Sequence, residues 1–465
     1  MNVLLIDPFY NPSTVPPNWS LGLIEKELNK VGLGTIVMDF VDKTCEGKDL
    51  AYFLKQENIF IEAIKKEAKK VKYVYITSSY GIPLKQKPNF PRIVKICEEI
   101  KKVNPNIKIS VGGATVNYAN KILNIQAFNE IDHGLVDEYI FGDEVAFVKY
   151  LLRIENISLE RILNNGVINW NSWNFNKYPN YISLLTAKGC IYNCSFCFES
   201  KIFNRKYETI DINSVLENIK INISKRNINK YAIEDSTFLS NPDVEKFCDE
   251  IIKQKIKIQW SAYGRIDQIL KYKNLLSKIR KAGCTSLIIG IESPNDEVLK
   301  RVCKNSTNSD ANIAIRLLKK NSIGAQGCFV LGFPGDNYKD IGKTIDYGIG
   351  LNLLAYRWHI YQPNFLDKTQ KYINGNPRPS DYLMIQTNIP DSCIPEVLEN
   401  SDAPIVLLTE EHFLIRAIPY LNGKEHILHE FGYNDLVFSE IFKIVKSKLI
   451  NKALNFDEEK MYNLI

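Results

Sequence analysis

Over the first 150 residues, short runs of consecutive apolar residues alternate with longer stretches in which apolar positions recur every three or four residues. The short runs predict buried strands, and the longer stretches, such as Leu21–Val31 and Ile93–Val103, predict amphipathic helices. This alternation is typical of an α/β fold with a doubly wound, Rossmann-like parallel sheet. The predicted strands are Val3–Ile6, Thr35–Met38, Tyr73–Thr77, Ile107–Val111 and Tyr139–Phe141.

The alternation resumes at Tyr181, with a strand roughly every 30 to 40 residues, the length of one strand-helix unit. Six such units predict a partial (β/α)6 barrel of the TIM type, whose active site would lie at the carboxyl ends of the strands. The predicted strands are Ile182–Thr186, Lys230–Ile233, Lys257–Tyr263, Ser286–Ile291, Gln326–Leu331 and Ala355–Tyr361.

These patterns divide the chain into four segments. Residues 1–150 hold the first sheet and residues 181–365 the barrel. Residues 151–180 have weak periodicity and several tryptophans and asparagines, which predicts a linker. Residues 366–465 begin with a stretch rich in proline, asparagine and aspartate, and we expect them to form a small C-terminal domain on the substrate side of the barrel.

Composition narrows the class of protein. The chain is 45% hydrophobic and 24% charged, as in ordinary globular proteins, and no run of eighteen apolar residues predicts a transmembrane segment. The net charge of +6 comes from many lysines that are interleaved with acidic residues, as in Lys65–Lys72. We interpret this run as a solvated helix face and not as a nucleic-acid surface. The first residues lack the basic and apolar regions of a secretory signal, so we expect a cytoplasmic protein.

The most informative motif is the spacing C-x3-C-x2-C formed by Cys190, Cys194 and Cys197. Three thiolates on one loop can each bind a different iron of a cubane cluster, and without a fourth cysteine nearby one iron stays open for another ligand. A structural zinc site would need a fourth ligand close by, and no histidine or further cysteine lies between Cys197 and Cys248. Disulfides would need an oxidising compartment, whereas the start of the sequence predicts a cytosolic and therefore reduced protein.

The motif and its flanks resemble the radical S-adenosylmethionine (SAM) enzymes. The resemblance implies that Cys190, Cys194 and Cys197 hold a 4Fe-4S cluster and that SAM chelates the fourth iron. Phe196 matches the aromatic residue that precedes the third cysteine in this family, close to the adenine. A packed loop aromatic is the alternative role for Phe196.

The resemblance also implies SAM-binding positions at other strand ends. Glu234 and Asp235 follow the second barrel strand, where the family places polar groups for the SAM amino group. Arg265 could pair with the SAM carboxylate, or form a salt bridge at the barrel rim. Glu292 and Ser293 match the segment that contacts ribose and adenine, and Asn295 is expected to cap the next helix.

The N-terminal segment resembles the cobalamin-binding domain that precedes many radical SAM domains. A Rossmann dinucleotide site is rejected, because the sequence Gly32–Val37 lacks the third glycine and precedes a strand. The loop after the first strand contains no histidine, so the resemblance implies cobalamin without a protein imidazole on cobalt. A domain that has lost the cofactor is the alternative. The implied cobalamin positions are Ser78, Ser79, Gly112, Gly113, Gly142 and Glu144.

Together the two resemblances imply a C-methyltransferase. In such enzymes SAM cleavage gives a 5′-deoxyadenosyl radical, and methylcobalamin supplies a methyl group to an unactivated carbon of a natural product, lipid or peptide. A radical SAM cyclase, rearrangement enzyme or carbon-carbon coupling enzyme is the first alternative, and a non-catalytic corrinoid carrier or sensor the second. A methylthiotransferase is disfavoured. The relatives with that activity bind a second cluster through three N-terminal cysteines, and only Cys45 and Cys97 precede the linker here. The implied electron donor is a flavodoxin or ferredoxin.

Overall fold

The structure is a computed structural model, and its residues form two compact units that meet at residues 179 and 180. Each unit contains one parallel sheet. The structure describes residues 2–12, 17–42, 50–78, 89–113, 116–117, 132–143, 145–158, 168, 173–175, 178, 180–197, 199, 203–331, 333, 336 and 338–360.

The first unit contains a five-stranded sheet in the order β2-β1-β3-β4-β5, with every neighbouring pair parallel. This is the flavodoxin-like order of a doubly wound sheet, so the fold class predicted from the sequence is confirmed. The strands are β1 (Asn2–Pro12), β2 (Gly34–Asp42), β3 (Tyr73–Thr77), β4 (Lys108–Gly112) and β5 (Glu138–Ile140).

Helices pack against this sheet because its central strands are apolar on both faces. All five residues of β3 are buried, as expected for a strand covered on both sides. The described helices of the unit are α1 (Trp19–Lys30), α2 (Leu50–Ala68), α3 (Asn89–Val103) and α4 (Ala146–Ile154).

The structure corrects one interpretation of the sequence in this unit. The lysine-rich run Lys65–Lys72 is not one helix face, because α2 ends at Ala68 and the remaining residues form the turn that leads into β3. Val71 is buried in that turn, where it joins the apolar core. The charges of the run are partly balanced by ion pairs such as Lys70 with Glu67.

Residues between α4 and the second unit belong to the first unit where they are described. Trp173 donates a hydrogen bond of 2.7 Å from its indole nitrogen to Glu25 of α1. Both side chains are buried, so this contact attaches the segment to the first sheet unit. Residues 366–465, which we expect to form a C-terminal domain, lie outside the described residues.

The second unit contains a six-stranded parallel sheet whose strands are neighbours in chain order, β6-β9-β10-β11-β12-β13. This is the arrangement of a partial (β/α)6 barrel, as predicted. The strands are β6 (Ile182–Leu184), β9 (Lys230–Ile233), β10 (Gln259–Arg265), β11 (Cys284–Glu292), β12 (Gly324–Leu331) and β13 (Ala355–Ile360).

Helices follow the strands of this sheet. The described helices are α5 (Ile212–Arg226), α6 (Val244–Lys253), α7 (Ile266–Lys271), α8 (Leu276–Lys281), α9 (Asp296–Arg301), α10 (Asn308–Lys320) and α11 (Tyr338–Gly350). Among the described residues, no helix combines the length and apolar character that crossing a bilayer requires.

A short antiparallel ribbon stands between the first barrel strand and the cysteine motif. Its strands are β7 (Ala187–Gly189) and β8 (Tyr207–Thr209), with Lys188 opposite Glu208. The cysteine loop therefore does not directly follow the first barrel strand. The loop leaves from the end of β7 and returns into β8.

Candidate active site

The ribbon fixes both ends of the cysteine segment. Gly189 has a φ of +83°, and a Cβ built on it would lie 2.2 Å from the carbonyl oxygen of Lys206. Only glycine tolerates both conditions, so this residue allows the two strands to approach each other immediately before Cys190. Ile210 then donates a backbone hydrogen bond of 2.8 Å to Thr186, which closes the segment.

Within the segment, a tight turn brings Cys194 and Cys197 together through a backbone hydrogen bond of 3.1 Å. The turn rests on residues that follow α9: Ser195 donates to the carbonyl of Val302 at 3.2 Å, and Cys194 Sγ lies 4.0 Å from the carbonyl of Cys303. Cys190 and Cys194 are buried, and Cys197 is half-buried.

Arg265, at the end of β10, lies directly against Cys194. Its guanidinium donates to Cys194 Sγ at 3.3 Å and to both carboxylate oxygens of Asp267, at 2.9 and 3.3 Å. The guanidinium carbon also lies 3.6 Å from the ring centroid of Tyr192, which is a cation–π contact. The side-chain amide of Gln268 in turn donates to the Tyr192 hydroxyl. Arg265 thus joins the cysteine loop to the end of β10.

A second cation stands near the same sulfur. Lys304 forms a 2.8 Å ion pair with Glu292, and both side chains are only 7% exposed. Glu292 ends β11 with a φ of +66°, a left-handed conformation that is uncommon for residues other than glycine. The pair fits because Gly290 has no side chain: a Cβ there would lie 2.3 Å from Glu292 Oε1 and 2.5 Å from Lys304 Nζ.

The charges around Cys194 support each other. Burial acts to lower the pKa of Lys304, but the negative charges of Glu292 and Cys194 outweigh it and raise that pKa above its ordinary value. Burial likewise opposes the charge of Arg265, and Cys194 and Asp267 raise its pKa. Both side chains therefore remain cationic, and the sulfur of Cys194 lies in a positive environment.

Asp235 makes hydrogen bonds within the protein. Its carboxylate is fully buried, and it accepts hydrogen bonds from the backbone of Thr186 at 2.7 Å and of Ala187 at 3.0 Å and from the Thr186 hydroxyl. Burial raises the pKa of Asp235 to about 6, and these hydrogen bonds act in the opposite direction. Asp235 therefore holds the corner between β6 and β7, whereas its neighbour Glu234 is exposed.

Phe196 and Ser293 also make contacts within the protein. The ring of Phe196 packs edge-on against Phe333, with 5.6 Å between centroids, on a cluster of valines from α9 and β12. The hydroxyl of Ser293 accepts from the backbone of Asn295 at 3.2 Å. Asn295 caps α9 by accepting from Glu297, so the predicted cap is confirmed.

Four of the six predicted cobalamin positions are described, and they lie at the carboxyl edge of the first sheet. The backbone and hydroxyl of Ser78 both donate to the carbonyl of Gly112 at 2.6 Å, which ties β3 to β4. A Cβ on Gly112 would lie 2.7 Å from the Tyr75 hydroxyl, and one on Gly113 would lie 2.9 Å from the backbone of Ser78. These glycines are therefore required by the packing of the edge itself.

Gly142 differs from them. It is exposed, has a φ of +126°, and exchanges two 2.8 Å hydrogen bonds with the side chain of Asn117. A Cβ on Gly142 would meet only Ala146, at 3.3 Å, so a ligand can approach this backbone closely, although its N–H and carbonyl groups are both bound to Asn117. The two remaining predicted positions, Ser79 and Glu144, lie outside the described residues.

Sequence reasoning missed Lys304, Tyr192 and Asp267. A lysine after a short helix has no distinctive pattern, because exposed lysines are common there. One available signal was the pair Gly290 and Glu292, two residues apart on one strand: the glycine leaves room beside the acid for a partner. Tyr192 lies inside the cysteine motif and was an equally visible candidate.

The donor set fits an iron-sulfur cluster. Three thiols lie on one short loop, and two cations accompany Cys194, as a site with several thiolates in a low-dielectric environment requires. In the described part of the chain, no three histidine, cysteine or carboxylate side chains converge on a single metal ion. A cubane cluster needs no such convergence, since each thiolate binds its own iron.

Comparison with known proteins identifies the class of domain. Residues 184–348 match the model of the Radical SAM superfamily, so this part of the chain is a radical SAM domain. The resemblance on which the sequence prediction rested is thereby confirmed for the segment that contains the cysteine motif and four complete barrel strands, β9 to β12.

Among curated proteins, an anaerobic magnesium-protoporphyrin IX monomethyl ester cyclase of Rubrivivax gelatinosus is 28% identical over 214 residues, which cover 44% of this chain and 37% of the cyclase. An uncharacterized methyltransferase of Pyrococcus horikoshii is 26% identical over 181 residues, 39% of each chain. The chain thus spans less than half the length of these two relatives.

The fold as a whole is similar to two solved structures. The radical SAM methyltransferase TsrM of Kitasatospora setae, solved with tryptophan and a SAM analogue, matches with a TM-score of 0.60 at 16% identity, covering 77% of this chain and 72% of TsrM. The cobalamin-dependent SAM radical enzyme OxsB, solved with aqua-cobalamin and SAM, matches with a TM-score of 0.54 at 16% identity, covering 86% of this chain and 56% of OxsB. These likenesses show an α/β fold built on parallel sheets.

Proposed function

We propose that this protein is a cobalamin-dependent radical SAM enzyme that transfers a methyl group to carbon. The observation that carries the proposal is the cysteine loop at the carboxyl end of the barrel, with Arg265 and Lys304 placed around Cys194. The flavodoxin-like sheet in the first unit supports the use of a corrin, because this sheet order binds flat cofactors at the carboxyl ends of its strands.

In the proposed enzyme Cys190, Cys194 and Cys197 hold the cluster. With SAM bound, the cluster supplies the low-potential electron that cleaves the SAM carbon-sulfur bond. Arg265 keeps two of its N–H groups outside its contacts with Cys194 and Asp267, and these can donate to the SAM carboxylate. Glu292, held by Lys304, offers a second carboxylate oxygen to hydroxyl donors of the ligand.

For cobalamin, the described residues of the first sheet act mainly as supports. Ser78, Gly112 and Gly113 fix the loops at the edge of the sheet, and a ligand can approach the backbone of Gly142 closely. The fold similarity to TsrM and OxsB supports the assignment. The segment Asp7–Pro12, which the sequence predicts as a loop, belongs to strand β1 in the structure. Since it contains no histidine, we expect cobalamin to bind without an imidazole of this segment on cobalt.

The test is an anaerobic reaction of the reconstituted protein with a candidate substrate, a reductant, hydroxocobalamin and SAM that carries a deuterated methyl group, so that the only source of methyl groups is labelled. We expect 5′-deoxyadenosine and a substrate with a deuterated methyl group on carbon. Replacing Cys190, Cys194 and Cys197 by alanine removes both products, and the matched variant Cys248→Ala, at a buried cysteine of α6, retains them. Production of 5′-deoxyadenosine without methylation of any candidate substrate would refute methyl transfer.

A cyclase, rearrangement or coupling enzyme is the second candidate, favoured by the similarity to the cyclase of Rubrivivax gelatinosus. Such an enzyme would transfer no label and consume one SAM per turnover. A corrinoid carrier or sensor would keep its binding function in the triple alanine variant. The electron donor we propose is a flavodoxin or ferredoxin, the substrate a small molecule or peptide, and the compartment the cytoplasm.

A further inference from the structure

The segment that carries the cysteines also exposes two large apolar side chains. Ile191, directly after Cys190, is 45% exposed, and Phe203, just before β8, is 37% exposed. Large apolar residues that are gathered at one place on a surface commonly mark an interaction site. A contact of 3.4 Å from Arg205 Nε to the carbonyl of Ile191 shows that the two ends of the segment lie side by side.

The backbone holds this surface in a fixed shape. Lys206 donates to the carbonyl of Phe203 at 2.9 Å, and the two residues between them, Asn204 and Arg205, have φ values of +51° and +57°. Two left-handed residues in succession define a type I′ turn, which leads into β8. Phe203 is thus presented from a hydrogen-bonded turn.

The surface is also positively charged. Arg205 and Lys206 are exposed, and neither has a carboxylate partner among the residues that the structure describes. The acid of the ribbon, Glu208, stands opposite Lys188, so those two charges offset each other. We refer to Ile191, Phe203, Arg205 and Lys206 as the loop patch.

We propose that the loop patch is the docking surface for a small acidic electron-carrier protein of the flavodoxin type. An apolar centre with a cationic rim matches an acidic partner, and electrostatic attraction raises the rate at which such partners associate. The site is adjacent in sequence to Cys190, so the carrier would bind beside the cluster. One electron would leave the reduced flavin and enter the cluster, with no bond formed or broken and no proton transferred. The inference rests on the proposed function.

The test measures binding of an oxidised flavodoxin to the reconstituted protein at low and high salt, without turnover. We expect Arg205→Glu/Lys206→Glu to weaken binding at low salt about ten- to a hundredfold, and less at high salt. Lys206→Glu alone preserves the contact of Arg205 with Ile191 and is expected to give a smaller loss of the same kind. Ile191→Ser/Phe203→Ser is expected to weaken binding about tenfold at both salt concentrations.

The matched control is Lys225→Glu/Lys257→Glu, which changes the net charge equally at two exposed lysines on the amino-end side of the strands. We expect it to bind flavodoxin like the wild type. In a second measurement, photoreduced deazaflavin, a small reductant that needs no docking surface, should reduce the cluster equally in all variants, whereas reduced flavodoxin should be slow only with variants of the loop patch.

Equal flavodoxin binding by the wild type and the loop-patch variants would overturn the docking proposal while leaving the proposed function intact. Equal losses in the control and the loop-patch variants would also overturn it, because the effect would then follow net charge alone. A wild-type protein that assembles no cluster would instead refute the proposed function, and the docking proposal with it.

Discussion

Lys304 Nζ and Glu292 Oε1 are 2.8 Å apart in a pair that water barely reaches, at the end of β11 and beside the cysteine loop. The two residues are close in sequence, but the geometry depends on the left-handed backbone at Glu292 and on the missing side chain at Gly290. A buried pair is sensitive to loss of one partner, because the other charge is then left without compensation.

Lys304→Met should therefore destabilise the protein by about 3–5 kcal/mol. The double variant Lys304→Met/Glu292→Gln should lose less, since no charge remains buried. The measurement is the free energy of unfolding of the metal-free protein in urea. The exposed pair Lys253 and Glu250 supplies the control, for Lys253→Met should change stability by less than about 1 kcal/mol. Equal effects of the two methionine variants would contradict the prediction.

Gly290→Ala should destabilise the protein by about 1–3 kcal/mol, because the new methyl group overlaps both partners of the ion pair. Gly264, in the neighbouring strand β10, provides a matched control. The atoms nearest to a Cβ there are side-chain carbons at 3.7 to 3.9 Å, which is ordinary van der Waals contact, so Gly264→Ala should have little effect. Urea unfolding of both variants checks the prediction, and a larger loss for Gly264→Ala would contradict it.

Arg265→Gln should weaken retention of the proposed cluster. The variant loses the guanidinium hydrogen bond to Cys194 Sγ, and loss of a residue that supports a metal ligand typically lowers affinity about 10–100-fold. The measurement is the rate of iron release to a chelator under anaerobic conditions. Arg280→Gln, which removes an arginine bound to the carbonyl of Cys284, should release iron like the wild type. Identical rates for all three proteins would contradict the prediction.

Asp235 should make stability depend on pH. Burial raises its pKa to about 6 in the folded protein, from an ordinary value of 3.8, so the folded state holds the proton more tightly. The stabilisation from the protonated form is complete below about pH 4 and is lost as the pH rises through about 6, with a magnitude of about 3 kcal/mol.

The variant Asp235→Asn lacks this titration. The stability of the metal-free wild type relative to the variant should therefore fall between about pH 4 and pH 7. Urea unfolding of both proteins at a series of pH values gives this difference. A difference that stays constant, or that grows with pH, would show that the carboxylate is stabilised in its ionised form.

Much of the fold could be predicted because most of the strands contain runs of apolar residues that can be recognised in the sequence. Runs such as Tyr73–Thr77 and Lys230–Ile233 are bounded by polar residues, and the structure has these two strands with the predicted limits. The ribbon strands β7 and β8 could not be found this way, since Ala187–Gly189 and Tyr207–Thr209 each have a charged residue at their centre and contain no apolar run. They form because Gly189 permits close approach.

The residues of the candidate site likewise divide into those that the sequence predicts and those whose role only the structure shows. The cysteines could be identified from their spacing. The role of Asp235 depends on its burial, which one sequence does not reveal. Arg265 was predicted as a partner of a ligand or of an acid at the rim, and its contacts with Asp267 and Cys194 arise only when β10 is placed beside the loop. Local sequence patterns do not indicate which distant segments of the chain lie beside each other.

The contact between Cys194 and the carbonyl of Cys303 joins residues 109 positions apart. On the ribosome, the three thiols are therefore made well before the segment that supports them, by about 5 to 20 s at ordinary rates of synthesis. During that interval the cysteines have neither Lys304 nor the end of α9 beside them. We therefore expect insertion of iron and sulfide to be a late event, one that follows synthesis of the second half of the barrel.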